Sequence, residues 1–184
     1  MDRVEEFLGD RLRGLPVPAD LRRLVELQLD GVLERDDCPP ALQEMRLLGP
    51  GELHPFQEPP VDYPWAPVTD STLAANRAMN EVLTHVAVIM DGFDGALFGY
   101  WLHPDEPPDP NPPIVRLDTE GTFELLDEET LTQALGLDRE IRELDRIPEP
   151  APSRTGFRRA APAVDPAALF DKLYERESRS REPT

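Results

Sequence analysis

This chain is poor in the residues that most chemistry needs. It has one cysteine, Cys38, so no internal disulfide can form. Cys38 sits in "DDCPP", where neighbouring acids raise a thiol pKa instead of activating it. There are four serines. Three (Ser153, Ser178, Ser180) lie in the C-terminal tail, and Ser71 falls at an expected helix start, so a serine nucleophile is not expected, and no G-x-S-x-G elbow occurs. A single lysine, Lys172, leaves no phosphate-loop lysine, and there is no Gly-rich phosphate loop. The three histidines, His54, His85 and His103, share no helical i, i+4 spacing. His103 before "PDE" allows a weak His/carboxylate cation site at most, against the plainer reading of a polar strand end. No window approaches the ~20 apolar residues of a membrane span. "MDRVEEFLGDRLRG" is acidic where a signal peptide needs a basic start, so a cytoplasmic location is expected.

Positive charge is also scarce. Against 37 Asp and Glu stand 19 Lys and Arg, for a net charge of −18 over 184 residues. Phosphate binding requires cationic side chains, so nucleic acid is not an expected partner, nor is an anionic membrane surface. Residues 1–147 carry a net −19 and residues 148–184 a net +1, so the acidity lies in the body. Between Asp91 and Glu129 there are eleven carboxylates and one base, Arg116. Such a stretch either solubilises the protein or meets a basic partner, whose association complementary fields would speed.

Proline is abundant, at 22 residues. It cuts the chain into short elements. Val4, Phe7, Leu8 and Leu12 predict a first helix, and Leu21, Leu24, Val25 and Leu29 a second, closed by Asp30-Gly31. "ALQEMRLLGPGELHPF" holds one helical turn or two, and "QEPPVDYPWAP" is a connection in which Tyr63 and Trp65 could anchor packing. Asp70-Ser71-Thr72 offers caps for a third helix, with Ala75, Met79, Val82, Leu83 and Val86 on its face. "VAVIM" and "ALFGYWL" read as an antiparallel hairpin, apolar on both parities, which implies strands covered on both faces or one covered face and one presenting aromatics.

The loop "PDEPPDPNPP" (104–113) follows, stiffened by six prolines. "IVRLD" and "TFELL" predict two strands around Thr119-Glu120-Gly121, and "DEETLTQALG" and "DREIRELDRI" two helices. Residues 148–165 read as a disordered Pro/Ala/Arg-rich linker. Residues 166–184 hold a short amphipathic helix and tail, with Leu169, Phe170, Leu173 and Tyr174 on one stripe, free to dock on the body, bind a partner or fray.

"DGFDG" (91–95) raises the one local question of chemistry. A calcium loop needs alternating acids and a closing Glu, whereas Asp91 and Asp94 are three apart and Ala96, Leu97 and Phe98 offer no side-chain oxygen. Asp-Gly pairs suit a tight corner, where Gly accepts φ > 0 and Asp bonds nearby backbone. A general acid/base pair of carboxylates is unspecific among 37 acids. No catalytic, cofactor-binding or metal-binding residue is assigned.

The order of these elements resembles the SUKH superfamily, the domain type of the fungal SMI/KNR cell-wall-synthesis regulators and of many bacterial immunity proteins. Leu15, Pro16, Leu21 and Gly31 match its opening helix, and Asp91, Gly92, Asp94 and Gly95 its central corner. Val115, Asp118, Gly121 and Phe123 match its later strands, and Leu131 and Leu135 its last helix. The likeness spans residues 15–136; the long proline loop and the helix at 71–84 depart from it. It implies an α+β fold over residues 1–147, a twisted antiparallel sheet with helices packed around it. It also implies a non-catalytic protein-binding role, either neutralising a cognate toxin as an immunity or antitoxin-type protein or acting as a regulator or scaffold. Combined with the charge, it implies a basic toxin domain as partner. The candidate contacts are Asp91, Asp94, Trp101, Asp105, Glu106 and Asp109.

Overall fold

The computed structural model describes residues 2–54, 56, 67–92, 94–102, 109, 111–146 and 162–180. It is an α+β fold built on a five-stranded antiparallel sheet in the order β1-β2-β3-β4-β5. The strands are β1 (Arg46–Leu47), β2 (Val86–Asp91), β3 (Leu97–Trp101), β4 (Ile114–Leu117) and β5 (Phe123–Leu126). Both expected hairpins are present, with Asp91 opposite Leu97 and Leu117 opposite Phe123. β1 was not anticipated. Two residues carry no readable periodicity, and the pairing of Arg46 with Asp91 is made across 45 positions of chain.

Helices cover both faces of the sheet, the first of the two arrangements that the unbroken apolar runs of β2 and β3 allow. One face packs on α1 (Arg3–Leu8), α2 (Ala19–Leu29), α3 (Pro40–Gln43), α5 (Leu131–Ala134) and α6 (Asp138–Asp145). Ala87, Ile89, Met90, Phe98, Tyr100 and Ile114 point into this layer. The other face packs on α4 (Asp70–Leu83) and α7 (Pro166–Arg179), and receives Val86, Val88, Leu97, Trp101, Val115 and Phe123. The alternation slips at Ile89, where the register shifts between Val88 and Met90. A bulge places Ile89 and Met90 on the same side, which strict alternation forbids. The Ile89 carbonyl also accepts the Leu48 N–H at 3.0 Å, prolonging the β1 edge.

Several boundaries differ from expectation for local reasons. The first helix stops at Leu8, because Gly9 turns to φ 52°; Leu12 reaches the core from the turn that follows. In α4 the cap is Thr69, whose hydroxyl accepts the Thr72 N–H at 3.1 Å, and Ser71 is in the first turn. The buried stripe runs through Ala74, Ala78, Met79 and Val82, rotated from Ala75, while Val86 belongs to β2. α5 begins after Thr130, later than Asp127. The terminal helix forms as its stripe indicated and docks on the body: Leu173 is buried, and Phe170 and Tyr174 pack on the α4/β5 side. The proposed linker falls largely outside the described residues, as do Tyr63, Trp65 and His103.

Candidate functional site

The hairpin corner is held by its own polar groups. Gly92 N–H donates to the Ala96 carbonyl at 2.7 Å and Gly95 N–H to the Gly92 carbonyl at 2.9 Å. Asp94 Oδ1 accepts the Ala96 N–H at 3.0 Å, the Asx turn such a corner wants. Gly95 sits at φ 77°, open to glycine at no steric cost. Arg116, on the neighbouring strand, donates from Nη2 to Asp94 Oδ2 at 3.0 Å and lies 3.8 Å from Glu124. The Ala96 N–H and then Arg116 hold the Asp94 carboxyl below its ordinary pKa. Asp91 is half-buried and lies 3.8 Å from Arg46.

Four of the six candidate contacts, Asp91, Asp94, Trp101 and Asp109, are among the described residues. Asp91 and Asp94 are at the hairpin end of the sheet. Asp109 is in the β3–β4 connection, which joins the two strands at the opposite end, beside Trp101. Asp109 is exposed and turns inward locally, its Oδ1 accepting the Asn111 N–H at 2.8 Å. Asp105 and Glu106 lie outside the described residues. Trp101 is corrected from contact to core: it is 1% exposed, and its indole N–H donates to the Val164 carbonyl at 3.0 Å as the chain enters α7. Its apolar ring is worth more under α7 than in water, and burial demands a partner for the N–H.

The hairpin end gathers other acids instead. The β4–β5 turn lies at this end, with Asp118 Oδ1 accepting the Glu120 and Thr122 N–H groups at 3.0 and 2.8 Å. Glu120 and Glu124 are exposed. Asp127, Glu128 and Glu129 continue from β5 at the far end, also exposed.

A larger cleft, of about 660 Å³, lies between the α1–α2 loop, the turn at 49–54, the end of α4 and β2. Arg11 braces it. Its Nη2 donates to the Gly49 and Glu52 carbonyls at 2.5 and 2.8 Å, and its Nη1 to the Val88 carbonyl beside the bulge at 3.3 Å. The guanidinium therefore serves backbone groups from two distant segments. Burial pushes the His54 imidazole down to about 4, with Arg11 adding to the shift, so His54 is neutral at pH 7. Glu52 in the same turn is occupied by Arg46 and by the Gly49 N–H at 2.9 Å. Neither Arg11 nor His54 could be singled out from the sequence, because Arg11 acquires its role from backbone far away in the chain and His54 from its burial beside Arg11.

Cys38 is buried, and burial followed by Asp37 pushes its thiol pKa up. Among the described residues, no three His, Cys, Asp or Glu side chains gather as metal ligands, and no helix is long and apolar enough to cross a membrane. No family model, curated protein or solved structure matches the chain.

Proposed function

We propose that the protein is a non-catalytic binding protein of the immunity or antitoxin type, which neutralises a basic toxin domain in the cytoplasm by covering it. The observation that carries this reading is the hairpin end of the sheet. Asp94, Glu120 and Glu124 are exposed there, beside Asp91 and Asp118, with Arg46 and Arg116 as the interleaved bases. Rim charges of one sign steer a partner of the opposite sign. The likeness to the SUKH superfamily supports the same role. Nucleic acid and membrane surfaces suit this charge poorly. The "DGFDG" carboxylates favour binding over acid/base chemistry, because Asp94 is engaged by Ala96 N–H and Arg116 and its pKa moves away from that of a general acid.

The test is co-expression with the product of the adjacent gene. A complex that co-purifies, and cells protected from that product, are the expected results. The double variant Glu120→Lys/Glu124→Lys should slow association about tenfold at low salt, with little change in dissociation. Absence of both binding and protection would overturn the reading. The alternative is a regulator or scaffold that recruits another protein through its C-terminal helix. Deleting that helix would not separate the two, since it would uncover the core. Substituting its exposed residues Lys172 and Arg179 by Glu separates them: the scaffold loses recruitment and the immunity protein keeps its partner.

A further inference from the structure

A groove of about 220 Å³ opens beside the hairpin corner, between α3, β2, β3 and the α5–α6 segment. Met45, Met90, Phe98 and Leu135 form its apolar walls. Its charged lining residues, among those described, are both acids, Glu44 and Asp94. Both are exposed. Asp94 shares Arg116 with Glu124, so that trio keeps a net negative charge. Glu44, the residue that ends α3, makes no ion pair among the described residues.

We infer that this groove receives a single arginine or lysine side chain from the basic partner, its methylene stem between the two methionines and Phe98 and its cation against Glu44 and Asp94. The inference rests on the protein-binding reading above and names the contact at its centre. Three features fit this occupant. The slot is narrow and apolar along its walls, which suits an aliphatic stem. Methionine side chains are unbranched and polarizable, and adjust to such a stem without a fixed shape. Finally, the two charged lining residues are acids and Glu44 has no ion-pair partner among the described residues, which a purely apolar side chain would leave unused. Anchors of this kind, seated in a pocket with a ring of weaker contacts around them, carry most of the affinity of protein interfaces.

A titration with a short peptide tests this without the natural partner. The probe is acetyl-Gly-Arg-Gly-amide, and its control is the same peptide with norleucine, which keeps an aliphatic stem and lacks the cation. Amide resonances are followed in the full-length protein. The arginine probe should shift Glu44, Met45, Phe98 and Leu135 in a saturable way, with the norleucine probe at least about fivefold weaker. Glu44→Gln and Ala134→Leu, the second filling the groove, should each weaken the arginine probe about fivefold. Glu44→Gln changes an exposed side chain and leaves the fold out of question. Equal binding of the two probes, shifts scattered over the acidic surface, or unchanged binding by Glu44→Gln would overturn the inference. The toxin-binding reading fails separately: a groove that takes arginine in a protein that binds no toxin leaves this inference standing. A toxin complex unaffected by Glu44→Gln and Ala134→Leu overturns it while that reading survives.

Discussion

Two residues bear directly on the stability of the sheet and of its braced cleft. Gly99 sits in the middle of β3, opposite Val88, where glycine is usually a weakness. A Cβ there would lie 2.3 Å from the Ala87 carbonyl oxygen and 2.9 Å from Val88 Cα. These are backbone atoms of the neighbouring strand, so no side-chain rotation relieves the clash. Gly99→Ala should cost about 3 kcal/mol or more, read as a lower urea midpoint with an unchanged slope. His54 acts through protonation. Its folded pKa, about 4, lies below the unfolded 6.5, so the unfolded chain binds more protons between those values. The stability contributed by keeping His54 neutral is complete above pH 6.5 and is lost as pH falls towards 4. After allowance for partial screening, the loss is roughly 2 kcal/mol. The general titration of 37 carboxylates would blur it in a single protein. It should appear in the difference between wild type and His54→Gln, with urea melts at pH 7 and pH 4.5 as the measurement.

At the scale of elements, α7 shows which forces attach a helix that follows the body in sequence. Leu173 is buried against the second core layer, Phe170 stacks on Tyr174 with centroids 6.1 Å apart, and Phe170 also meets Phe123 at 6.1 Å. The Trp101 bond to Val164 fixes the approach. Charged pairs surround this contact, with Arg176 Nη2 2.6 Å from Glu81 Oε2, but both partners are largely exposed. Exposed pairs contribute about 0–1 kcal/mol, whereas truncating a buried leucine costs about 2–5 kcal/mol. Leu173→Ala should therefore destabilise the protein several times more than Arg176→Ala, by thermal melts of both variants. The stripe of α7 was legible in the sequence, because Leu169, Phe170, Leu173 and Tyr174 repeat at helical spacing. Its docking was not, because an amphipathic helix states that it has a partner without saying which surface. The β2–β3 hairpin was legible for a similar reason: Asp-Gly chemistry defines a corner locally. Trp101 stood among the candidate contacts because an aromatic at a strand end fits a surface and a core equally well until α7 is placed over it. β1, the Ile89 bulge and the Arg11 brace left no local trace at all, since each depends on backbone brought from elsewhere in the chain.

For the molecule as a whole, the governing quantity is the net charge of −18. Folding compacts these charges and so stores repulsion, which opposes stability. Exposed ion pairs such as Arg3–Asp30 at 2.7 Å and Arg139–Glu143 at 2.9 Å work in the other direction. Salt screens both, so its net effect shows which is larger. Each exposed pair is worth little, and the acids outnumber the bases nearly two to one, so repulsion should win. Raising sodium chloride from 20 mM to 500 mM should then stabilise the protein by about 2 kcal/mol, roughly 4–8 °C in Tm for a chain of this length. Magnesium chloride at equal ionic strength should give a similar rise if the acids act through their summed field, and a much larger one at low millimolar concentration if some of them hold a divalent ion. The same screening should weaken a basic partner. A complex that tightens with salt while the free protein is stabilised would rule out electrostatic recognition by the hairpin end, and would move the search for the interface to apolar surface.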